Sequence, residues 1–151
     1  MADINFIDNS IQVSAALAAS AKQFLIEAGE EIRSAVARGS RRESGQLAGS
    51  WKSQIVSDSE ARIGSSLENA IWEEFGTGEY AVNGGRSGGW YVHESKLSEK
   101  AKSKMRRVEM GGEVFYFTRG KTPSHALQKA FDSRKAAIIK RAEQIFKVNM
   151  S

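Results

Sequence analysis

The sequence predicts an α+β fold in which two long helices, about 10–38 and 123–147, pack on a curved antiparallel sheet carrying a long glycine-rich loop. Three observations predict it. Apolar residues recur at helical spacing near both ends of the chain, while short β-branched and aromatic runs separated by turn residues fill the stretch from Trp51 to Thr118. Nine of the 14 glycines lie between Trp72 and Gly120, which marks 76–112 as a glycine- and aromatic-rich, partly flexible insertion. At 151 residues the chain has room for a single domain, 1–151.

The first helix starts at Asn9 or Ser10, with Asp8, Asn9 and Ser10 all able to cap it and Phe6 placed to pack back as a staple. Leu17, Ala21, Phe24, Leu25, Ala28, Ile32, Ala35 and Val36 form its core face, and Lys22, Gln23, Glu27, Glu30 and Arg33 its solvated face. Gly39 ends it. The run 39–45 is polar and glycine-bounded, a loop, and Leu47 to Trp51 adds a helical turn. Trp51, Ser53 and Ile55 then alternate with polar residues. With turn chemistry at Ser57-Asp58-Ser59 and a return through Ala61-Arg62-Ile63-Gly64, they read as a hairpin.

Residues 67–75 form a short helix that delivers Trp72 and Phe75 to Gly76-Thr77-Gly78, where a glycine on each side of Thr77 permits a sharp reversal. Met110-Gly111-Gly112 is a hairpin turn before the strand Val114 to Thr118. In the last helix Pro123 follows a Thr122 cap, at the one position where its missing N–H costs nothing. Leu127, Ala130, Phe131, Ile138, Ala142 and Ile145 make its apolar face. Lys129, Lys135, Lys140 and Lys147 look outward, and Ala137 and Ile139 widen the stripe beyond what one sheet face requires.

Three short pieces, in this order and spacing, carry a resemblance. They are Ser44-Gly45-Gln46-Leu47 with Ser50-Trp51; Asn69 to Gly78, containing Glu73-Glu74-Phe75-Gly76-Thr77; and Gly120-Lys121-Thr122-Pro123 with Leu127 and Ala130. Together they resemble a phage head-to-tail joining family, the HK97 gp10-like neck and tail-completion proteins, over most of the chain. The family's glutamate beside the Gly-Thr turn matches Glu74, with Phe75 intervening, and its aromatic after the proline is replaced here by Ala126. The resemblance implies a structural protein of the virion neck or tail, made in the host cytoplasm. It also implies partners: copies of itself in a ring, other connector and tail proteins, and DNA in transit.

The remaining composition narrows the chemistry. The chain has no cysteine, hence no disulfide framework or thiolate nucleophile, and its two histidines do not make a zinc cage. No run of 18 apolar residues and no leader pattern is present, so a soluble protein, intracellular when made and without membrane contact, is expected. Gly76-x-Gly78-x-x-Ala81 matches a dinucleotide fingerprint only formally, because no helix follows it; no cofactor is expected. Adjacent Glu73 and Glu74 cannot form an opposed carboxylate pair, so one is expected buried beside an Arg and the other solvated. His93 and His125 lack a nucleophile or partner acid, and His125 is expected in a structural role in the first turn of the last helix.

With no catalytic or metal-binding set, the chain reads as a non-enzyme whose sites are surfaces. Trp72, Phe75, Trp90 and Tyr91 are candidates for contact with a neighbouring subunit, with Gly76 and Gly78 fixing the turn that presents them; Trp90 and Tyr91 have the alternative of covering their own sheet. The net charge of +4 is concentrated at Lys96, Lys100, Lys102, Lys104, Arg106 and Arg107, opposed within 96–107 by Glu99 alone. That run is either a solvated loop or short helix, or a contact for DNA phosphate or an acidic partner, and it keeps open a small basic nucleic-acid-binding protein as the alternative function.

Overall fold

The structure is a computed structural model in which residues 7–41 and 45–151 are described. Helix α1 (Ser10–Gly39) is followed by a short α2 (Gln46–Ser50), a hairpin of β1 (Trp51–Ser57) and β2 (Glu60–Ser65), and α3 (Asn69–Phe75). Then come β3 (Trp90–His93), α4 (Glu99–Lys102), β4 (Arg106–Met110), β5 (Glu113–Thr118) and the closing helix α5 (Ala126–Asn149), with 3₁₀ turns at Gly78–Tyr80 and Glu94–Lys96. Helices and antiparallel sheets are mixed as the sequence predicts. Among the described residues no helix is long and apolar enough to cross a membrane.

The two long helices lie side by side and antiparallel. Arg141 grips Glu27 through two hydrogen bonds of 2.6 and 3.1 Å, Arg134 reaches Glu31 at 3.4 Å, and Asn149 reaches Gln23. Glu27 therefore belongs to a helix–helix seam and not to the solvated face the periodicity assigns it. The Asp8 carboxylate, just before the Asn9 N-cap position, accepts the Ser10 amide at 2.9 Å, which holds that carboxyl below its ordinary pKa. Phe6, Arg42, Glu43 and Ser44 fall outside the described residues.

One expectation fails in its geometry: the strands make two small sheets, not one curved sheet. The β1–β2 hairpin pairs Trp51 with Ser65 and Ile55 with Ala61 and packs on α1, where Gly29 leaves room for Ser53 to come within contact. The second sheet has order β3-β5-β4, with the β4–β5 turn made by Gly111 and Gly112, both at positive φ. The two sheets separate because α3 and the Gly76–Gly89 stretch intervene between β2 and β3. The expected long loop at 76–112 consequently holds two strands, β3 and β4, with the short helix α4 between them.

The core cluster is Val36, Leu47, Trp51, Ala70, Ala126 and Ala130, with Ile63 and Leu127 against it. Its one polar member atom is satisfied: Trp51 Nε1 donates to Ser40 Oγ at 2.8 Å, and that hydroxyl donates to the Val36 carbonyl at 2.7 Å.

Helix α5 begins three residues later than the proline predicts. His125 takes a left-handed conformation (φ 53°, ψ 39°) and becomes the N-cap residue, so it lies before the helix and not in its first turn. Thr122 and Pro123 remain in the incoming chain, where the Ser124 amide donates to the Glu73 carbonyl at 2.6 Å.

Candidate assembly surface

The Gly76-Thr77-Gly78 turn is a backbone clamp. Thr77 N–H donates to the Lys121 carbonyl at 2.9 Å, and Lys121 N–H returns to Thr77 Oγ1 at 3.0 Å. Glu79 N–H donates to the Arg119 carbonyl at 2.9 Å. Both glycines have positive φ, 75° and 62°. A Cβ on Gly76 would stand 2.8 Å from the Lys121 carbonyl oxygen and 2.9 Å from Pro123 Cδ, and one on Gly78 would collide with the Arg119 carbonyl and the Trp90 ring. The sequence places these glycines at a surface-presenting turn; the structure places them inside, where two chain segments touch.

Both glutamates of the motif are buried, which corrects the expectation that one is solvated. Adjacent helical positions point about 100° apart, so each finds a different partner. Glu73 pairs with Lys121 and lies 3.7 Å from Arg41, so the predicted arginine is present but secondary to a lysine. Glu74 accepts the amides of Leu127 at 2.8 Å and Gln128 at 3.0 Å. Those are first-turn donors of α5, and a carboxylate there also meets the positive end of the helix dipole. Glu74 thus performs the cap that the sequence assigns to Thr122.

Above this junction α1, β2, α3 and α5 leave an open apolar groove of about 740 Å³. Phe24 and Leu25 of α1, Ile71 and Phe75 of α3, and Phe131 and Ile139 of α5 line it. Ile71 (63 %), Phe75 (46 %), Phe131 (44 %) and Ile139 (51 %) are exposed, so their apolar area faces water. No short motif flags this groove. Its traces in the sequence are Phe75, a candidate contact residue, and the excess width of the α5 stripe at Ile139.

The predicted contact residues are divided among several places. Phe75 faces the groove, whereas Trp72, 51 % exposed, lines a separate crevice of about 170 Å³ beside Glu73, Arg41 and Lys121. Trp90 lies half-buried against Gly78 of its own chain with the Arg86 guanidinium 5.7 Å from its ring centre. Tyr91 is half-exposed, its ring 5.3 Å from Phe117.

The basic run is likewise dispersed, which corrects its reading as one loop or one helix. Lys96 ends a 3₁₀ turn, Lys100 and Lys102 sit on α4, Lys104 follows it, and Arg106 and Arg107 open β4. Lys102 pairs with Glu99 at 2.6 Å, which raises its pKa, and Arg107 pairs with Glu109 at 3.3 Å. His93 holds structural contacts: its Nδ1 accepts the Ser95 amide at 3.2 Å, and its ring meets Phe115 edge-on. Compared with known protein families, with curated proteins and with solved structures, this chain matches none of them.

Proposed function

We propose that this chain is a structural subunit of a phage head-to-tail connector, a neck or tail-completion protein that assembles into a ring between the portal and the tail. The observation that carries the assembly part is the exposed apolar belt of Ile71, Phe75, Phe131 and Ile139 around an open groove. An apolar surface of that extent favours burial against protein. The phage setting comes from the motif resemblance, and the structure adds a reason for those motifs to travel together. Leu47 and Trp51, Ala70, and Ala126 and Ala130, which stand in or beside the three pieces, meet in one core cluster.

The test is solution mass over a concentration series, by light scattering after size exclusion, with and without duplex DNA. A closed oligomer that forms with concentration and ignores DNA is the expected result. Trp72→Ala and Phe75→Asp should leave the fold intact and lower the mass; an oligomer unchanged by both would remove these residues from the interface. The alternative, a small nucleic-acid-binding protein, draws on Lys96, Lys100, Lys104 and Arg106, all exposed. It predicts a shift in mass only with DNA, weakening steeply as salt rises.

A further inference from the structure

We propose that residues 7–21, the first turns of α1 with the three residues before it, form an arm that docks into the apolar groove of a second copy of this chain, head to tail. The contact rests on the self-assembly proposed above and names the surfaces that make it. Its starting point is an overhang: α5 ends beside Gln23, where Asn149 bonds it, while α1 extends beyond it for three further turns in which Ile11 (81 %), Val13 (44 %) and Leu17 (49 %) are exposed, with Ile7 (76 %) exposed just before the helix. Leu17, expected in the core, is on this arm. From Asn9 to Ala21 the helix carries no charged residue on any face, an unusual composition for a solvated helix.

The faces of the arm continue the faces that α1 buries in the body. Ile11, Ala15 and Ala18 fall, by helical angle, on the side of Leu25 and Gly29, which meets the hairpin; Val13 and Leu17 fall on the side of Phe24 and Glu27, which meets α5. Ser20, at the root of the arm, is fully buried; ahead of it the arm offers a surface shaped like one that already packs in this fold, and its larger apolar side chains stay exposed among the described residues. It cannot fold back. The groove's own wall includes Phe24 and Leu25 of the same unbroken helix, so the arm runs collinear with the groove it would fill. The acceptor belongs to another copy.

Length and charge agree. The α5 wall of the groove, Leu127 to Ile139, and the arm from Ser10 to Ala21 each span roughly 17–18 Å at 1.5 Å per residue. Among the described residues the ionisable groups lining the groove are Glu74, whose oxygens the α5 amides occupy, and Lys135, which is exposed. The tip of the arm carries the opposite charge, Asp8. A helix of that length laid half into a groove buries roughly 300–400 Å² of itself, well under the roughly 800 Å² per partner of a stable pair. One such contact is weak alone, and a closed ring, in which every copy gives one arm and receives one, supplies the second.

Because the chain has no native cysteine, cross-linking is unambiguous. Two full-length variants of distinguishable mass, Ile11→Cys and Ile139→Cys, are mixed under oxidising conditions at high concentration, and the disulfide-linked species are identified by mass. The expected product is the 11-to-139 heterodimer, and adding Leu17→Asp to the first variant lowers its yield about tenfold or more. Both positions are exposed, so the fold tolerates the changes, and circular dichroism checks it. A predominant 11-to-11 product would mean that arms pair with each other and would overturn the proposal, as would the absence of any 11-to-139 product. If the wild-type chain still forms a closed oligomer in that case, the connector reading survives on another surface. An 11-to-139 link in chains that build only open polymers would uphold the contact and overturn the ring.

Discussion

Glu74 shows how much one carboxylate can settle. Its two oxygens take the Leu127 and Gln128 amides inside a junction that water barely reaches, so removing them strands two helix donors. Glu74→Ala should cost about 2–3 kcal/mol in urea unfolding, and Glu74→Gln, which keeps one acceptor oxygen, about half of that. Equal losses would mean that packing, not acceptance, is the residue's role. A second comparison isolates sterics from conformation. Gly78→Ala should destabilise by about 2 kcal/mol or more, whereas Gly84→Ala, at a similar positive φ but with open space around it, should lose only about 1 kcal/mol. The sequence singles out Glu73, Glu74 and both glycines as unusual. It cannot name their main partners, Lys121, Leu127 and Gln128, which lie more than 40 positions downstream, because nothing in local spacing encodes a contact made by folding.

The α1–α5 seam supplies the pH-dependent element. Hydrogen bonds from Arg141 first, and Gln23 second, lower the Glu27 carboxyl from its ordinary 4.5 to about 2. A carboxyl depressed in the folded state contributes stability above its unfolded pKa and loses it as pH falls from 4.5 toward about 2. Wild type should therefore exceed Glu27→Gln in urea midpoint at neutral pH, with the two converging near the lower limit of that window. The gap should be small and should shrink in salt, since both side chains reach water. A midpoint difference that does not change with pH would exclude this pair as its source. Element identity was legible wherever hydrophobic period and turn residues agreed, as in α1, the 51–65 hairpin and the Gly111-Gly112 turn. The start of α5 was not, because Thr122-Pro123 is a sound local cap that lost to Glu74. The division into two sheets was also hidden, since strand runs do not say which face of which helix they will meet.

At the scale of the whole molecule, exposed apolar residues on the α1 arm and around the groove predict an association that high salt leaves intact or strengthens. Light scattering at low and high ionic strength separates that from phosphate binding through the dispersed lysines and arginines, which salt would abolish. The groove itself was barely legible in the sequence: its walls come from three helices and the first hairpin, and only Phe75 and the surplus width of the α5 stripe hinted that some of those residues stay exposed among the described residues.

The Thr77–Lys121 clamp has a consequence of another kind. It joins positions 44 apart, and the six members of the core cluster all lie outside the span it closes. The second sheet thus enters and leaves the rest of the molecule through one doorway, in the manner of an exchangeable cassette. Replacing residues 79–119 with a short glycine turn should leave a smaller protein that still unfolds cooperatively, with α1, the first hairpin, α3 and α5 intact. If it does, the cassette is free to diverge in length and chemistry while the helices that hold the groove stay fixed.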